Sequence, residues 1–382
     1  MQLQTFDPDL FLREYWQKKP LLIKNPWVSW QNPLDPDELA GLACEEEVES
    51  RLITQSYESW NLEHGPLPEA RFHALDKKPW TLLVQAVDHH VPEVTGLLGA
   101  FRFIPNWRID DVMVSYATDG GGVGPHYDQY DVFLIQGLGT RRWQVGQLCD
   151  ASTAMLPHDE LRLLADFTPT DEWLLEPGDM LYIPPRIAHN GVAVGDDCMT
   201  YSIGCRAPSR SELIAQWSED ILAHMPDDDR YADPHLAAQA NPGEISPQAL
   251  TELHAMITAT LQDREAFARW FGGYTSTRKY PDMDWHPDVV IDEEELCENL
   301  EARVPLMRNP ASRFSFIRQG DAALLFVDGQ CYECAAEART LAEQLCADDS
   351  IAIDPLWASA EGARALISSL LNQGSIAFDE DE

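Results

Sequence analysis

The sequence predicts an α+β chain: a barrel or sandwich of short strands, then a helical region, then a small mixed domain. Three observations carry that expectation. Between Asp110 and Ala207, short β-rich runs are separated by Gly, Pro and Asp turns: Val112–Ala117, Val132–Gln136, Arg142–Val145, Trp173–Leu175, Met180–Ile183 and Met199–Ile203. Past Pro208, apolar residues recur at helical spacing. The last hundred residues alternate strand-like and helical patterns. A chain of 382 residues is long enough for two or three domains, and the expected boundaries are 1–207, 208–274 and 275–382.

Taken in order, Phe11, Leu12, Tyr15 and Trp16 fall on one helical face, and Lys18-Lys19-Pro20 ends it before a strand at Leu21–Ile23. Trp80, Leu83, Val84 and Val87 are again at helical spacing, so a helix is expected within 78–98. Ser209 or Ser211 can cap a helix carrying Leu213, Ile214, Trp217, Ile221 and Leu222. A second helix begins at Ser246-Pro247 and carries Leu250, Leu253, Ile257 and Leu261, with Phe267, Trp270 and Phe271 beyond. These stripes are either intramolecular core or a dimer face. Residues 275–290, with Pro281 and Pro287, read as a linker. Beyond it come a strand pair (Arg313–Ile317, Ala322–Val327), a turn at Asp328-Gly329, helices at Ala335–Leu345 and Ala360–Leu371, and a frayed acidic tail at 379–382.

Composition narrows the function classes. Acidic residues number 64 against 27 basic, a formal charge of -37. Such a field repels nucleic-acid phosphates and anionic membranes and favours basic partners, although acidic surfaces also serve solubility or salt adaptation. The N-terminus lacks a basic segment followed by an apolar one, so it does not read as a secretory signal. No apolar run reaches the roughly eighteen residues of a membrane span. The 8 cysteines are spread along a long chain, unlike a secreted disulfide framework. A cytoplasmic protein is expected. Cys331-x-x-Cys334 lacks the second pair that a zinc finger needs.

The chemistry concentrates in Gly120-Gly121-Gly122-Val123-Gly124-Pro125-His126-Tyr127-Asp128. In extended chain, residues i and i+2 share a face, so His126 and Asp128 can hold one metal. Two imidazoles and a carboxylate on one face of an octahedron leave three positions open, which suits non-haem Fe(II). The pattern His-x-Asp alone is weak, and His286-Pro287-Asp288 repeats it between prolines with no supporting context. Some sixty residues on, Glu176-Pro177-Gly178-Asp179, an apolar strand, Pro184-Pro185 and His189 resemble the second conserved block of the cupin superfamily, which implies His189 as a third ligand where a lone histidine would read as a core residue. His89, His90, His158, His224 and His254 have no comparable context. In Arg141-Arg142-Trp143, Arg141 and Trp143 share a face while Arg142 points away. A guanidinium inside a barrel needs an anion, and its fork matches a carboxylate; outside the barrel it would simply be solvated.

These blocks, with the entry Tyr15-Trp16-x-Lys18-Lys19-Pro20 and the closing Tyr201-Ser202-Ile203-Gly204-x-Arg206-Ala207-Pro208, resemble the JmjC-type ribosomal oxygenases. The resemblance covers nearly the whole chain. It implies a double-stranded β-helix (cupin or jelly-roll) barrel, a helical dimerisation region giving a homodimer, and a C-terminal winged-helix-like domain. His126, Asp128 and His189 would ligate Fe(2+), and Arg141, assisted by Ser115, would bind the cosubstrate 2-oxoglutarate. Asp111, Tyr130 and Ser202 would contact the substrate's guanidinium. Dioxygen is the oxidant. The bacterial branch, arginine hydroxylases acting on ribosomal protein sixteen of the large subunit, is the most similar. Arg141 where the human relatives carry lysine favours that branch, whereas Asn190 after the third ligand is less typical of it.

Three rival readings are distinguishable. Histidyl hydroxylation and N-methyl demethylation share the same metal group, so only the substrate pocket separates them. A non-oxygenase cupin would carry mainly histidine ligands and would not need Arg141. A nucleic-acid-binding module would need a basic stripe that residues 275–382 do not display.

Overall fold

The first helix, α1 (Pro8–Glu14), starts where the Asp7 side chain accepts from the Leu10 amide and Pro8 occupies the first turn. Strand β1 (Leu21–Ile23) follows, as the break at Lys18-Lys19-Pro20 requires. Then come α2 (Pro36–Leu42), β2 (Ser50–Ser56), β3 (Ser59–His64), α3 (Glu69–His73), β4 (Trp80–Val84), α4 (Pro92–Leu98), β5 (Ile109–Ala117), β6 (Val132–Leu148), β7 (Asp171–Leu175), β8 (Met180–Ile183) and β9 (Ile187–Cys205). This computed structural model describes residues 1–56, 59–75, 78–226 and 228–379. Of the tail expected to fray, 380–382 lie outside the described residues.

The strands form one sheet in the order β1-β8-β6-β9-β5-β4-β2-β3, with β7 on β6. Two of the expected runs, 132–136 and 142–145, are one strand. Gly137 and Gly139 mark irregularities in the β6–β9 register, not a turn, so β6 bends and continues. Its first part pairs with β8 and its later part with β7. The helix expected around Trp80 is instead β4, antiparallel to β2 and β5. Four of its five residues are buried, and such an apolar run fits either periodicity.

Alternation divides the sheet into two faces. Val112, Val114, Phe133, Ile135, Tyr182, Tyr201 and Ile203 form a core with Phe11 of α1 and Val94 and Leu97 of α4. The opposite face carries the polar residues: Asp111 and Ser115 on β5, Gln136 and Arg141 on β6, Thr200 and Ser202 on β9, all buried. A functional site therefore belongs on that second face.

Contacts divide the chain into two compact units. The first comprises Met1–Ala207, Lys279–Trp285 and Asn309–Ala311; the other holds the remaining residues. The expected linker 275–290 is thus no linker throughout: a helix runs to Ser276, and Lys279–Trp285 packs in the barrel's own unit.

In the second unit α5 (Arg210–His224) opens on a capping box between Ser209 and Glu212. It is followed by α6 (Pro247–Leu261), α7 (Arg264–Ser276) and α8 (Glu293–Ala302). Beyond lie β10 (Leu306–Arg308), β11 (Phe314–Gln319), β12 (Ala322–Val327), β13 (Gln330–Ala335), α9 (Glu337–Ala347), β14 (Ser350–Ile351), α10 (Pro355–Ser359), α11 (Glu361–Asn372) and β15 (Ile376–Phe378). The turn at Asp328-Gly329 joins β12 to β13, which the sequence reading did not anticipate. α9 and α11 bury Leu341, Leu345, Ile367 and Leu370 in a core of their own. Among the described residues no helix is long and apolar enough to cross a membrane.

Candidate metal centre

Gly124 turns the chain into the metal segment at φ +85°, and a Cβ there would lie 2.8 Å from Leu163 and 3.0 Å from Trp60. His126 is then held by a two-way backbone bridge to His189, its amide donating to His189 O over 3.0 Å and its carbonyl accepting from the His189 amide over 2.8 Å. The imidazole centroids stand 4.3 Å apart. Each Nδ1 faces a backbone carbonyl, Gly124 O at 2.8 Å and Ile187 O at 3.0 Å. A carbonyl only accepts, so both Nδ1 atoms carry the proton and donate, leaving both Nε2 lone pairs for a ligand. The backbone of Asp128 is fixed by the Arg186 amide at 2.7 Å, and its Oδ2 lies 3.5 Å from His189 Nε2.

One ligand atom from each of His126, Asp128 and His189 lies within 4.8 Å of the others, and among the described residues no other such group occurs. Burial, and then the neighbouring His126, push the His189 imidazole down to about 4 against the pull of Asp128. It is therefore neutral at pH 7, as a metal ligand must be. The His286-Pro287-Asp288 repeat belongs to the other unit. Cys331 is exposed and Cys334 buried, and they share no metal group.

Beside this group lies an unbalanced cation. Arg141 is 3% exposed, while Arg142 is exposed. Its Nε donates to Cys198 Sγ at 3.4 Å, but its Nη2 is buried without a hydrogen-bond partner. Trp143 Nε1 and Thr81 Oγ1 are orphaned in the same way. Thr81 pairs across the sheet with Ala117, which packs on Cys198. Buried donors without acceptors cost about 1–3 kcal/mol each, more when charged, unless a ligand satisfies them. A small carboxylate-bearing molecule fits this donor set. Ser115 is buried, and its hydroxyl reaches Thr200 O at 3.5 Å. Cys198, Thr81 and Trp143 Nε1 were not singled out from the sequence. Strand parity would have found Thr81 had β4 been read as a strand.

Of the residues expected to contact the substrate, Asp111 and Ser202 lie on this face. Ser202 pairs with Met113 and with Leu134 across the sheet. Tyr130 is not a core residue but 42% exposed. Burial of its hydroxyl end, with Asp128, Asp111 and Asp110 nearby, pushes that hydroxyl well above the usual phenol value. Asp111 is 3% exposed and already engaged. Its Oδ2 accepts from Gln85 Nε2 at 2.6 Å and the Ala86 amide at 2.8 Å, and pairs with Lys279 at 3.0 Å. Lys279 lies in the presumed linker, and nothing in the sequence pattern pointed to it.

Fold and donor set together define a class: a double-stranded β-helix whose lumen carries a His/Asp/His group that could hold a metal and a buried arginine with an unsatisfied donor. Residues 96–213 match the JmjC domain, and residues 259–377 match the ROXA-like winged helix. The chain is 40% identical over 297 residues to the ribosomal protein uL16 3-hydroxylase of Escherichia coli, covering 76% of this chain and 78% of that protein. It is 38% identical over 335 residues to a probable ribosomal oxygenase of Haemophilus influenzae, covering 85% and 77%. Among solved structures, the E. coli ribosomal oxygenase YcfD in complex with cobalt and 2-oxoglutarate superposes with a TM-score of 0.87 at 34% identity, covering 99% of both chains. The chain belongs to the ribosomal oxygenase family of JmjC-domain enzymes.

Proposed function

We propose that this enzyme hydroxylates carbon 3 of an arginine side chain in a basic protein of the large ribosomal subunit, using iron(II), 2-oxoglutarate and dioxygen. The observation that carries the reading is the buried, unsatisfied Arg141 Nη2 beside the His/Asp/His group. The name of the 40% identical relative, a uL16 3-hydroxylase, supports the ribosomal substrate. We assign residues 1–207 to catalysis, 208–274 to dimerisation and 275–382 to the winged-helix-like domain.

His126, Asp128 and His189 would hold the metal through Nε2, a carboxylate oxygen and Nε2 respectively. Metal and cosubstrate together supply the activation of dioxygen for oxidising an unactivated carbon. Arg141 would take the distal carboxylate of 2-oxoglutarate in a charge-assisted fork, with Ser115 assisting. The carbonyl bonds at both Nδ1 atoms fix ring orientation, so the protein's part is placement. Asp111, Tyr130 and Ser202 would receive the substrate's guanidinium, Asp111 through a charge-assisted bond. The formal charge of -37 favours a basic substrate, and the setting would be the cytoplasm. Exposed apolar side chains on α5 and α6, among them Leu222 at 69% and Ile257 at 64%, would be covered in a homodimer.

The test incubates purified enzyme with Fe(II), 2-oxoglutarate and a peptide spanning the target arginine of uL16. A mass gain of one oxygen on arginine is expected. Oxidation of histidine instead, or formaldehyde release from a methylated peptide, would move the chain to a rival activity.

A further inference from the structure

The segment Lys279–Trp285 belongs to the barrel's unit although α5, α6 and α7 intervene in sequence. Tyr280 and Lys279 both make polar contacts there. Tyr280 donates its hydroxyl to Glu49 Oε2 at 2.9 Å, and its ring meets His89 edge-on at 6.3 Å between centroids. Lys279 Nζ bridges two carboxylates, Asp110 Oδ2 at 2.9 Å and Asp111 Oδ2 at 3.0 Å. The side chains of Lys279, Asp110 and Asp111 are 18%, 29% and 4% exposed, so the bridge is largely shielded from water.

Lysine at this point has a charge consequence. The one ammonium offsets charge on both carboxylates at once. Without the ammonium, two Oδ2 atoms of like charge would face each other. Asp110 could then turn to water, but Asp111 is too deeply buried to do so. Burial alone would lower the affinity of Lys279 for its proton, yet the Asp111 and Asp110 carboxylates outweigh it and raise it. The bridge also decides which oxygen is left. Every partner of Asp111 takes Oδ2; Oδ1 has no hydrogen-bond partner among the described residues. Oδ1 looks onto Gly204 of β9, where a Cβ would meet nothing within 4 Å but this oxygen at 3.8 Å. Gly204 follows Ser202 by two residues and lies on the same face.

We propose that Lys279 is a positioning residue for substrate recognition: by bridging Asp110 and Asp111 through their Oδ2 atoms, it holds Asp111 Oδ1 over the bare backbone of Gly204, where the cationic side chain of the substrate docks. This rests on the reading of Asp111 as the substrate's partner. Lys279 is not part of the His126, Asp128 and His189 group, and its Nζ pairs with Asp110 and Asp111. Its loss raises the substrate's dissociation constant and leaves 2-oxoglutarate binding unchanged.

The experiment measures binding of a fluorescein-labelled uL16 peptide with one arginine, anaerobically, to holoenzyme carrying metal and 2-oxoglutarate. The proteins are wild type, Lys279→Met, Lys279→Arg, Asp111→Asn and the Asp111→Asn/Lys279→Met double variant. Lys279→Met is expected to weaken the peptide by about tenfold or more, a difference of ~1.4 kcal/mol. Lys279→Arg should recover most of it, and 2-oxoglutarate affinity by calorimetry should not change. The double variant should bind as Asp111→Asn does, because a residue acting through Asp111 adds nothing once that carboxylate is gone. Should Lys279→Met fail to fold, Lys279→Gln keeps a donor at the pair and is expected to weaken the peptide less. Weakening by Asp111→Asn with unchanged or tighter binding in the Lys279 variants overturns the proposal, tighter binding marking the lysine as a competitor. Additive effects in the double variant overturn it equally. No effect of Asp111→Asn removes the reading of Asp111 itself.

Discussion

Arg141 and Arg142 are adjacent in sequence and opposite in consequence. The first has an unsatisfied nitrogen in the barrel lumen, and the second lies in solvent. Replacing Arg141 by Ala is expected to weaken 2-oxoglutarate by about 2–5 kcal/mol, the cost of stripping a buried charged contact, while Arg142→Ala changes little. Isothermal calorimetry with the cosubstrate decides it; equal affinities would mean that the anion binds elsewhere. Single replacements of His126, Asp128 or His189 by Ala should each abolish Co(II) binding followed by its visible absorption, with His286→Ala unaffected. A retained cobalt spectrum in His189→Ala would count against the assignment. The clustering of His126, Asp128 and His189 was legible in the sequence because strand period 2 fixes His126 against Asp128 and the Pro-Gly-Asp turn announces the strand preceding His189. Lys279 was not, since it lies 169 residues from Asp110 and only tertiary folding brings them together.

Among the elements, the six β-rich runs were readable because turn residues bound them, although two of them proved to be one strand. Failures occurred where that signal degenerates. β4 is buried nearly throughout, so its apolar spacing satisfied a helix as well. The glycines inside β6 act as bends within one strand where they normally end one. Capping was more dependable, as Ser209 and Ser246 both start helices. A titration test also belongs here. The turn after β4 carries Asp88, whose Oδ1 accepts the Val112 amide of β5 at 2.7 Å. Burial, then the charge of Asp111, push its carboxyl up to about 8. An unfolded aspartate titrates near ~3.9, so the folded chain holds an extra proton between those values. Its contribution to stability is complete below pH ~4 and is lost as pH rises through about 8. Asp88→Asn keeps an acceptor and removes the titration. The denaturation midpoint of the variant minus that of the wild type should therefore climb between pH 5 and pH 8; a constant difference would show that Asp88 is ionised when buried.

At the scale of the whole molecule, α6 has no fully buried residue, and Leu250, Leu253, Ile257 and Leu261 are all exposed. Trp217, also expected on the dimer face, is instead packed against Phe267 and Trp270 within the chain. Light scattering at micromolar concentration should give twice the 43.0 kDa chain mass, and Ile257→Glu should return it to monomer. A wild-type monomer would leave those side chains to solvent and end the dimer proposal. The net charge of -37 leads to a kinetic expectation. Association with a basic peptide should slow as salt rises, because the field is screened beyond roughly 8 Å at 0.15 M. kcat should stay constant while kcat/KM falls; equal loss of both would locate the salt effect in the chemical step.

The return of Lys279–Trp285 to the barrel unit also has a consequence for synthesis. Chains fold from the N-terminus as they emerge, at ~5–20 residues per second, so the roughly eighty residues between Ala207 and Trp285 take about 4–16 s to make. During that interval every strand of the barrel and all three metal ligands exist, but the ammonium that bridges Asp110 and Asp111 has not been translated. A nascent chain at that stage could gather its metal and cosubstrate while its substrate pocket was still unset. On the proposed role of Lys279, the enzyme would acquire its substrate recognition after its metal site, while its own ribosome is still at work on it.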